Sequence, residues 1–163
     1  MSMMKMITGA KKNIYIQTPY LVPDEPMIES LAMAARSGID VRIMIPCIPD
    51  HPFVYRTTLY NAGRLIRDGA KIYIYENGFL HAKTLTADDE VCTVGSTNMD
   101  IRSFRGGGES NAFVYDANVT KEMYRQFEED MKFCREYTQE DRNNISIKER
   151  ALESISRLLT EIL

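Results

Sequence analysis

Hydrophobic residues in the first half of the chain alternate between strand-like and helix-like spacing. Residues 13–17 and 40–45 are short runs rich in β-branched and aromatic residues, which predicts strands. Apolar residues recur at helical spacing over 26–38 and 55–68, and a third strand is predicted at 70–75. The order βαβαβ predicts a parallel sheet with helices across it, because parallel neighbours need crossover connections.

The second half of the chain has shorter apolar runs with only turns between them. Residues 80–87, 91–95 and 111–115 are predicted as strands, and 87–90 as a hairpin connection between the first two. Strands joined by hairpins are antiparallel, so they add antiparallel members to the parallel sheet.

Helical spacing returns near the end of the sequence. Segments 119–137 and 146–159 are predicted to be helices that pack on the sheet. The pattern as a whole predicts an α/β fold, with a mixed β-sheet flanked by helices and a single domain over residues 1–163.

Composition excludes several classes of protein. The 163 residues are 44% hydrophobic and 26% charged, which is typical of a globular domain, and the net charge of −3 gives no overall attraction to nucleic acid or anionic lipid. No run approaches the roughly 18 apolar residues of a membrane span, so a soluble chain is expected. The three cysteines are expected to be reduced, and neither a metal nor another cofactor is expected from their spacing.

The residues best suited to chemistry lie in the second half of the chain. His81 and Lys83 stand two positions apart, so on a strand both side chains point to one face. An imidazole can act as nucleophile or general acid, and an ammonium stabilises oxygens that gain negative charge. Gly95, Ser96 and Asn98 end the next predicted strand, where they add a close backbone approach, a hydroxyl and an amide. The set predicts a cradle for phosphate oxygens.

The spacing of these residues resembles the HKD motif of the phospholipase D superfamily. That motif is His-x-Lys, four residues, Asp, six residues and Gly-Ser-x-Asn, and every fixed position is met. Within the superfamily, the chain is similar to the C-terminal half of bacterial cardiolipin synthase. The stretches that carry this similarity are 14–20, 23–25, 41–46, 49–55, 71–75, 78–83 and 98–104. Those enzymes have two HKD motifs and N-terminal membrane helices, so this chain looks like an excised domain with the second motif.

The resemblance implies phosphatidyl transfer between two phosphatidylglycerol molecules, which gives cardiolipin and glycerol through a phosphohistidine. One motif's histidine attacks phosphorus and the other motif's histidine protonates the leaving oxygen. His81 then acts as nucleophile or acid, and Lys83, Ser96 and Asn98 bind the phosphoryl oxygens. Glu109 matches the family's acidic residue that fixes the tautomer of the motif histidine.

Further residues receive structural or pocket assignments. Asp88 and Gly95 are expected to be structural members of the motif, Asp88 as part of an ion pair. Tyr20, His51 and Tyr55 are candidates for a headgroup or acceptor pocket, although a loop position explains His51 equally well and aromatic residues beside strands are more often part of the core. The glycines at 106–108 depart from the bulky segment usual in the family.

The resemblance also implies partners and a location. The expected partners are phosphatidylglycerol and other anionic phospholipids, together with an N-terminal half that carries the first HKD motif, or a second copy of the chain in its absence. Nucleic acid is not an expected partner. The full-length enzyme is expected at the bacterial cell membrane, with its catalytic domain facing the cytoplasm. Two alternatives stay open: a homodimeric single-motif phosphodiesterase, either phospholipase or nuclease, and an inert isolated domain.

Overall fold

A computed structural model of the chain describes residues 3–48, 50–106 and 108–160. Pro49, Gly107 and both ends of the predicted 1–163 domain lie outside the described residues. The helices are α1 (Met3–Gly9), α2 (Glu25–Arg36), α3 (Pro52–Arg67), α4 (Ile101–Arg105), α5 (Ala117–Met131), α6 (Gln139–Asn144) and α7 (Ile147–Thr160). The strands are β1 (Asn13–Gln17), β2 (Leu21–Val22), β3 (Asp40–Pro46), β4 (Lys71–Tyr75), β5 (Thr84–Ala87), β6 (Val91–Gly95), β7 (Met99–Asp100), β8 (Asn111–Val114) and β9 (Cys134–Tyr137).

Seven strands form one mixed sheet in the order β8-β6-β5-β1-β3-β4-β9. Strands β1, β3 and β4 are parallel to one another, and β5, β6, β8 and β9 join by antiparallel pairing. A short parallel pair, β2 with β7, stands apart from this sheet. The predicted mixed sheet flanked by helices is therefore confirmed.

The larger part of the core lies on one face of the sheet, under α1, α2 and α3. Helix α2 begins where the Asp24 carboxylate accepts from the Met27 amide at 3.3 Å, and Pro26 favours the first turn. Its buried residues Ile28 and Leu31 pack against strand residues such as Ile43. The other face holds a smaller cluster around Tyr15, Met44, Leu80 and Phe127, which lies under α5.

The predicted helix over 119–137 is wrong in its last part. Helix α5 ends at Met131, and Cys134–Tyr137 is strand β9, which pairs antiparallel with β4. Pairing provides hydrogen-bond partners for the amide and carbonyl groups along the edge of β4. This stabilisation comes from tertiary structure, so helical spacing in the sequence does not reveal it.

Helix α7 packs against α3 at the end of the described chain. The Arg142 guanidinium binds the Glu153 carboxylate at 2.7 and 2.9 Å, and both side chains are largely buried. Arg142 also lies against Gly63 of α3, where an added Cβ would stand 2.4 Å from its Nε. In the described part of the chain, no helix combines the length and apolarity needed to cross a membrane.

Candidate active site

The sheet register brings the separated parts of the motif to one edge. Gln17, the last residue of β1, pairs with Thr84, and Thr84 pairs with Val94 of β6. One position further, Gly95 pairs with Asn111 of β8. The segment before β5, the segment after β6 and the segment before β8 therefore meet where β1 ends.

His81 and Lys83 lie in the loop before β5, because that strand begins at Thr84 and not at residue 80 as predicted. The His81 side chain is exposed and stacks on Phe79, with ring centroids 5.3 Å apart. Lys83 is only 9% exposed, and its ammonium donates to the His81 carbonyl at 2.8 Å. A loop hydrogen bond, and not the pleat of a strand, holds these two residues together.

The ammonium of Lys83 lies in a desolvated and acidic environment. Burial lowers the pKa of Lys83, while the negative charges of Glu109, Asp100 and Asp50 act in the opposite direction. Sequence reasoning missed Asp50 and Asp100. Asp50 follows the carboxyl end of β3, and Asp100 lies two residues after Asn98. Their positions next to predicted strand ends and to the motif could have indicated that they lie near Lys83.

Backbone hydrogen bonds hold the segment that contains Ser96 and Asn98. The Ser110 amide donates to the Ser96 hydroxyl at 3.0 Å, and the Asn98 amide donates to the Ser103 hydroxyl at 3.3 Å. The next amide, that of Met99, donates to the Thr18 hydroxyl at 3.1 Å. Oδ1 of Asn98 is buried and has no hydrogen-bond partner among the described residues, so this polar atom is left open beside the motif.

Asp88 and Gly95 both have structural surroundings. The Asp88 carboxylate accepts from the amides of Lys11, Lys12 and Asn13 at 2.7 to 3.2 Å, which ties the β5–β6 turn to the start of β1. These are hydrogen bonds from backbone amides, so the predicted ion pair of Asp88 is wrong. At Gly95, an added Cβ would stand 2.2 Å from the carbonyl of Ser110, which leaves room for glycine alone.

Glu109 is exposed and belongs to the same edge of the sheet. Its charge acts on Lys83, but within the described residues no hydrogen bond or ion pair joins Glu109 to His81. Its proposed role toward the histidine stays a prediction.

The three predicted pocket residues lie around the start of α3 and differ in their neighbours. Tyr20 donates to the Asp50 carboxylate, and its ring centroid is 6.3 Å from that of His51. Burial raises the pKa of Tyr55 to about 12, and the charges that act on it come from Cys47, Tyr137 and Arg135. Tyr20 and His51 therefore lie together, and Tyr55 follows one turn along α3, where its amide donates to the His51 carbonyl at 3.0 Å.

Solved structures define the class of this fold. A phospholipase D family member, Nuc from Salmonella typhimurium, superposes with a TM-score of 0.71 at 17% identity, covering 83% of this chain and 88% of that one. The phosphatidylserine synthase of Haemophilus influenzae Rd KW20 superposes with a TM-score of 0.73 at 14% identity, covering 98% of this chain and 41% of that one. The chain has the phospholipase D fold.

Sequence comparison narrows the class to one family. The family model described as cardiolipin synthase, PLD-like domain, matches residues 3–131, and the chain belongs to this family. It is 50% identical over 159 residues to the major cardiolipin synthase ClsA of Bacillus subtilis (strain 168), covering 98% of this chain and 33% of that protein. Cardiolipin synthase 1 of Staphylococcus aureus (strain MRSA252) is 46% identical, with 98% and 32% covered. The chain thus spans about a third of the length of these relatives.

Proposed function

We propose that this chain supplies one half of an active site that transfers a phosphatidyl group from one phosphatidylglycerol to another, giving cardiolipin and glycerol. The observation that carries the proposal is the sheet register, which brings the segments that carry His81, Lys83 and Asn98 to the same end of strands β5 and β6. The identity of about 50% to cardiolipin synthases over nearly the whole chain supports the choice of substrate.

The reaction proceeds in two displacements at phosphorus. The nucleophilic imidazole attacks phosphorus, a P–N bond forms, and the bond to the glycerol oxygen breaks while a second imidazole donates a proton to that oxygen. The hydroxyl of a second phosphatidylglycerol then attacks phosphorus, the P–N bond breaks, and the second imidazole takes the hydroxyl proton. His81 is one of the two imidazoles, either the nucleophile or the acid.

Neighbouring groups stabilise the phosphoryl oxygens as they gain charge. The Lys83 ammonium supplies positive charge in a desolvated place, where electrostatic interactions are stronger than in water. The Ser96 hydroxyl and the side-chain amide of Asn98 supply further donors. Glu109 orients a histidine, and Tyr20 with His51 contacts the headgroup or the acceptor glycerol.

A second motif is required, because one imidazole cannot stand on both sides of the phosphorus. In this proposal the second motif comes from the N-terminal part of a full-length enzyme at the bacterial membrane, with the catalytic domain on the cytoplasmic side. Exposed apolar side chains beside the site suit such a partner: Ile48 and Phe53 are each 54% exposed and Phe79 is 42% exposed.

An exchange experiment tests this proposal. The matching third of the Bacillus subtilis enzyme is replaced by this chain, and we call this hybrid protein the exchanged enzyme. It is supplied with labelled phosphatidylglycerol. We expect cardiolipin and glycerol in equal amounts, and none from the same protein with His81→Asn. Hydrolysis of DNA by this chain alone, without phosphatidyl transfer by the exchanged enzyme, would overturn the proposal in favour of a nuclease.

A further inference from the structure

A cavity of about 500 Å³ opens next to the motif, on the side of Glu109. Its apolar lining consists of Met3, Met4, Met27, Phe104 and Phe113. This volume lies within the range of about 300–1,000 Å³ that is typical of small-ligand pockets. The cavity is large enough to hold part of a substrate.

The cavity lies near the proposed phosphate-binding residues. A much smaller space of about 10 Å³ beside Lys83 shares two lining residues with it, Met3 and Thr97. Thr97 is also the residue between Ser96 and Asn98 of the motif. Met3 and Thr97 line both spaces, so the apolar cavity is a close neighbour of Lys83.

The charges around the cavity exclude a second phosphate as its occupant. Its charged lining residues are Asp24 and Glu109, which are both acidic. The Asp24 carboxylate is engaged at the start of α2, where it accepts from the Met27 amide at 3.3 Å. Carboxylates repel an anion, whereas methionine and phenylalanine side chains favour hydrocarbon.

We propose that this cavity binds the hydrocarbon next to the glycerol backbone of the phospholipid whose phosphate lies at Lys83. The inference rests on the proposed function and adds to it the place of the acyl group. Three methionines line the cavity, and their unbranched, flexible side chains adapt to acyl chains of different length and unsaturation.

The chain contains no tryptophan, so a single introduced indole reports on the cavity without background. Phe113→Trp places it in the lining, and Phe133→Trp places it on an exposed residue, 52% accessible, as the matched control. Each variant is titrated with a short-chain phosphatidylglycerol that is brominated near the glycerol end of its acyl chains, kept below its micelle concentration. We expect saturable quenching several-fold stronger for Phe113→Trp than for Phe133→Trp, and none with the unbrominated lipid.

Equal quenching of both variants, or none at the cavity, overturns the inference. Phe104→Trp is a second reporter in the same lining, and it decides the question if Phe113→Trp does not fold. Quenching does not depend on turnover. Phosphatidyl transfer by the exchanged enzyme without cavity quenching defeats this inference alone, whereas cavity quenching without transfer defeats the proposed function and leaves a lipid-binding cavity.

Discussion

Two polar clusters lie on the sheet, and they differ in how completely their groups are paired. In the first cluster, Asp40 accepts from the Tyr15 hydroxyl at 3.1 Å, from Nε of Arg42 at 2.8 Å and from the Lys71 ammonium at 3.0 Å. Arg42 also lies over the Tyr15 ring, 4.7 Å from its centroid. We call these four residues the closed cluster.

The second cluster consists of Lys83, Asn98, Asp50, Asp100 and Glu109, and we call it the open cluster. Asp50 accepts from the Tyr20 hydroxyl and Asp100 accepts from the Ser103 amide. The carboxylates act on Lys83 through their charge, whereas the hydrogen bond of the ammonium goes to a backbone carbonyl. Oδ1 of Asn98 is buried without a partner in the described part of the chain. Among the described residues the Lys83 ammonium, which carries three N–H donors, makes one hydrogen bond, so the open cluster keeps donors for the oxygens of a phosphodiester.

The largest expected effect comes from His81→Asn, beside the open cluster. In the exchanged enzyme, turnover should fall by about 10⁴-fold or more, because the reacting imidazole is lost. The thermal midpoint should stay nearly constant, since the His81 side chain is exposed and little packing is lost. Activity and melting are measured on the same preparation, with Lys121→Asn, an exposed position on α5, as the control. Retained turnover in His81→Asn refutes the assignment.

Lys83→Met should reduce turnover by roughly 10²–10³-fold, the effect typical of losing one preorganised electrostatic group. Lys83→Arg should restore little, because a planar guanidinium does not fit the place of an ammonium. Near-normal rates in Lys83→Arg would show that the residue only attracts lipid.

A pH profile sharpens the role of Lys83. Because burial lowers its pKa, activity should fall on the alkaline side at lower pH than an ordinary lysine allows. Asp50→Asn removes a negative charge that favours the ammonium, so this fall should move to still lower pH. If the alkaline fall in activity stays at the same pH in Asp50→Asn, the charge of Asp50 does not act on Lys83.

Gly95→Ala tests the backbone that supports the open cluster. The new Cβ would stand 2.2 Å from the Ser110 carbonyl, and relieving this contact should cost about 1–3 kcal/mol of stability and displace the Ser96 segment. Gly9→Ala is the matched control, because its Cβ would meet nothing within 4 Å. The free energy of unfolding, from denaturant titration, and turnover are measured for both variants. Equal values for Gly95→Ala and Gly9→Ala would contradict the close contact at Gly95.

The smallest expected effect is that of Asp40→Asn in the closed cluster, about 1–2 kcal/mol of stability with turnover per folded molecule unchanged. Burial raises the pKa of Asp40, but hydrogen bonds from Arg42 and Lys71 outweigh it, and the net pKa is lowered. A lowered carboxyl pKa contributes stability above the unfolded value, and this stability is lost as pH falls through the folded value. Below about pH 4 the parent chain should therefore lose stability more steeply than Asp40→Asn.

Local pattern was sufficient to predict the parallel half of the fold. The strands at Asn13–Gln17 and Asp40–Pro46, with the helix between them, carry their own periodicity and turn residues, and the structure confirms them. Strand β9 could not be predicted in this way, because Cys134–Tyr137 becomes a strand by pairing with β4, which lies far away in sequence. Helix α6, which follows β9, was not predicted, although Thr138 and Asp141 form a capping box at its start.

The motif spacing predicted a shared site for these residues, but it did not predict the environment of each side chain. His81 and Lys83 were expected on a strand, and the structure places them in a loop with unequal exposure. Asp50 acts on Lys83 from the loop after β3 and Asp100 acts from the end of β7, and such proximity depends on the tertiary fold. Asp88 was expected in an ion pair, yet three backbone amides at the start of β1 take that place.

The difference between the clusters is tested most directly by following two lysines in one sample. In the exchanged enzyme, labelled lysine side chains are observed by NMR while soluble glycerophosphoglycerol, a phosphodiester without acyl chains, is added. We expect the signal of Lys83 to shift and its pKa to rise, because the bound anion favours the ammonium, whereas the signal of Lys71 stays in place. A shift at Lys71 with none at Lys83 would contradict the assignment of the open cluster as the phosphodiester site.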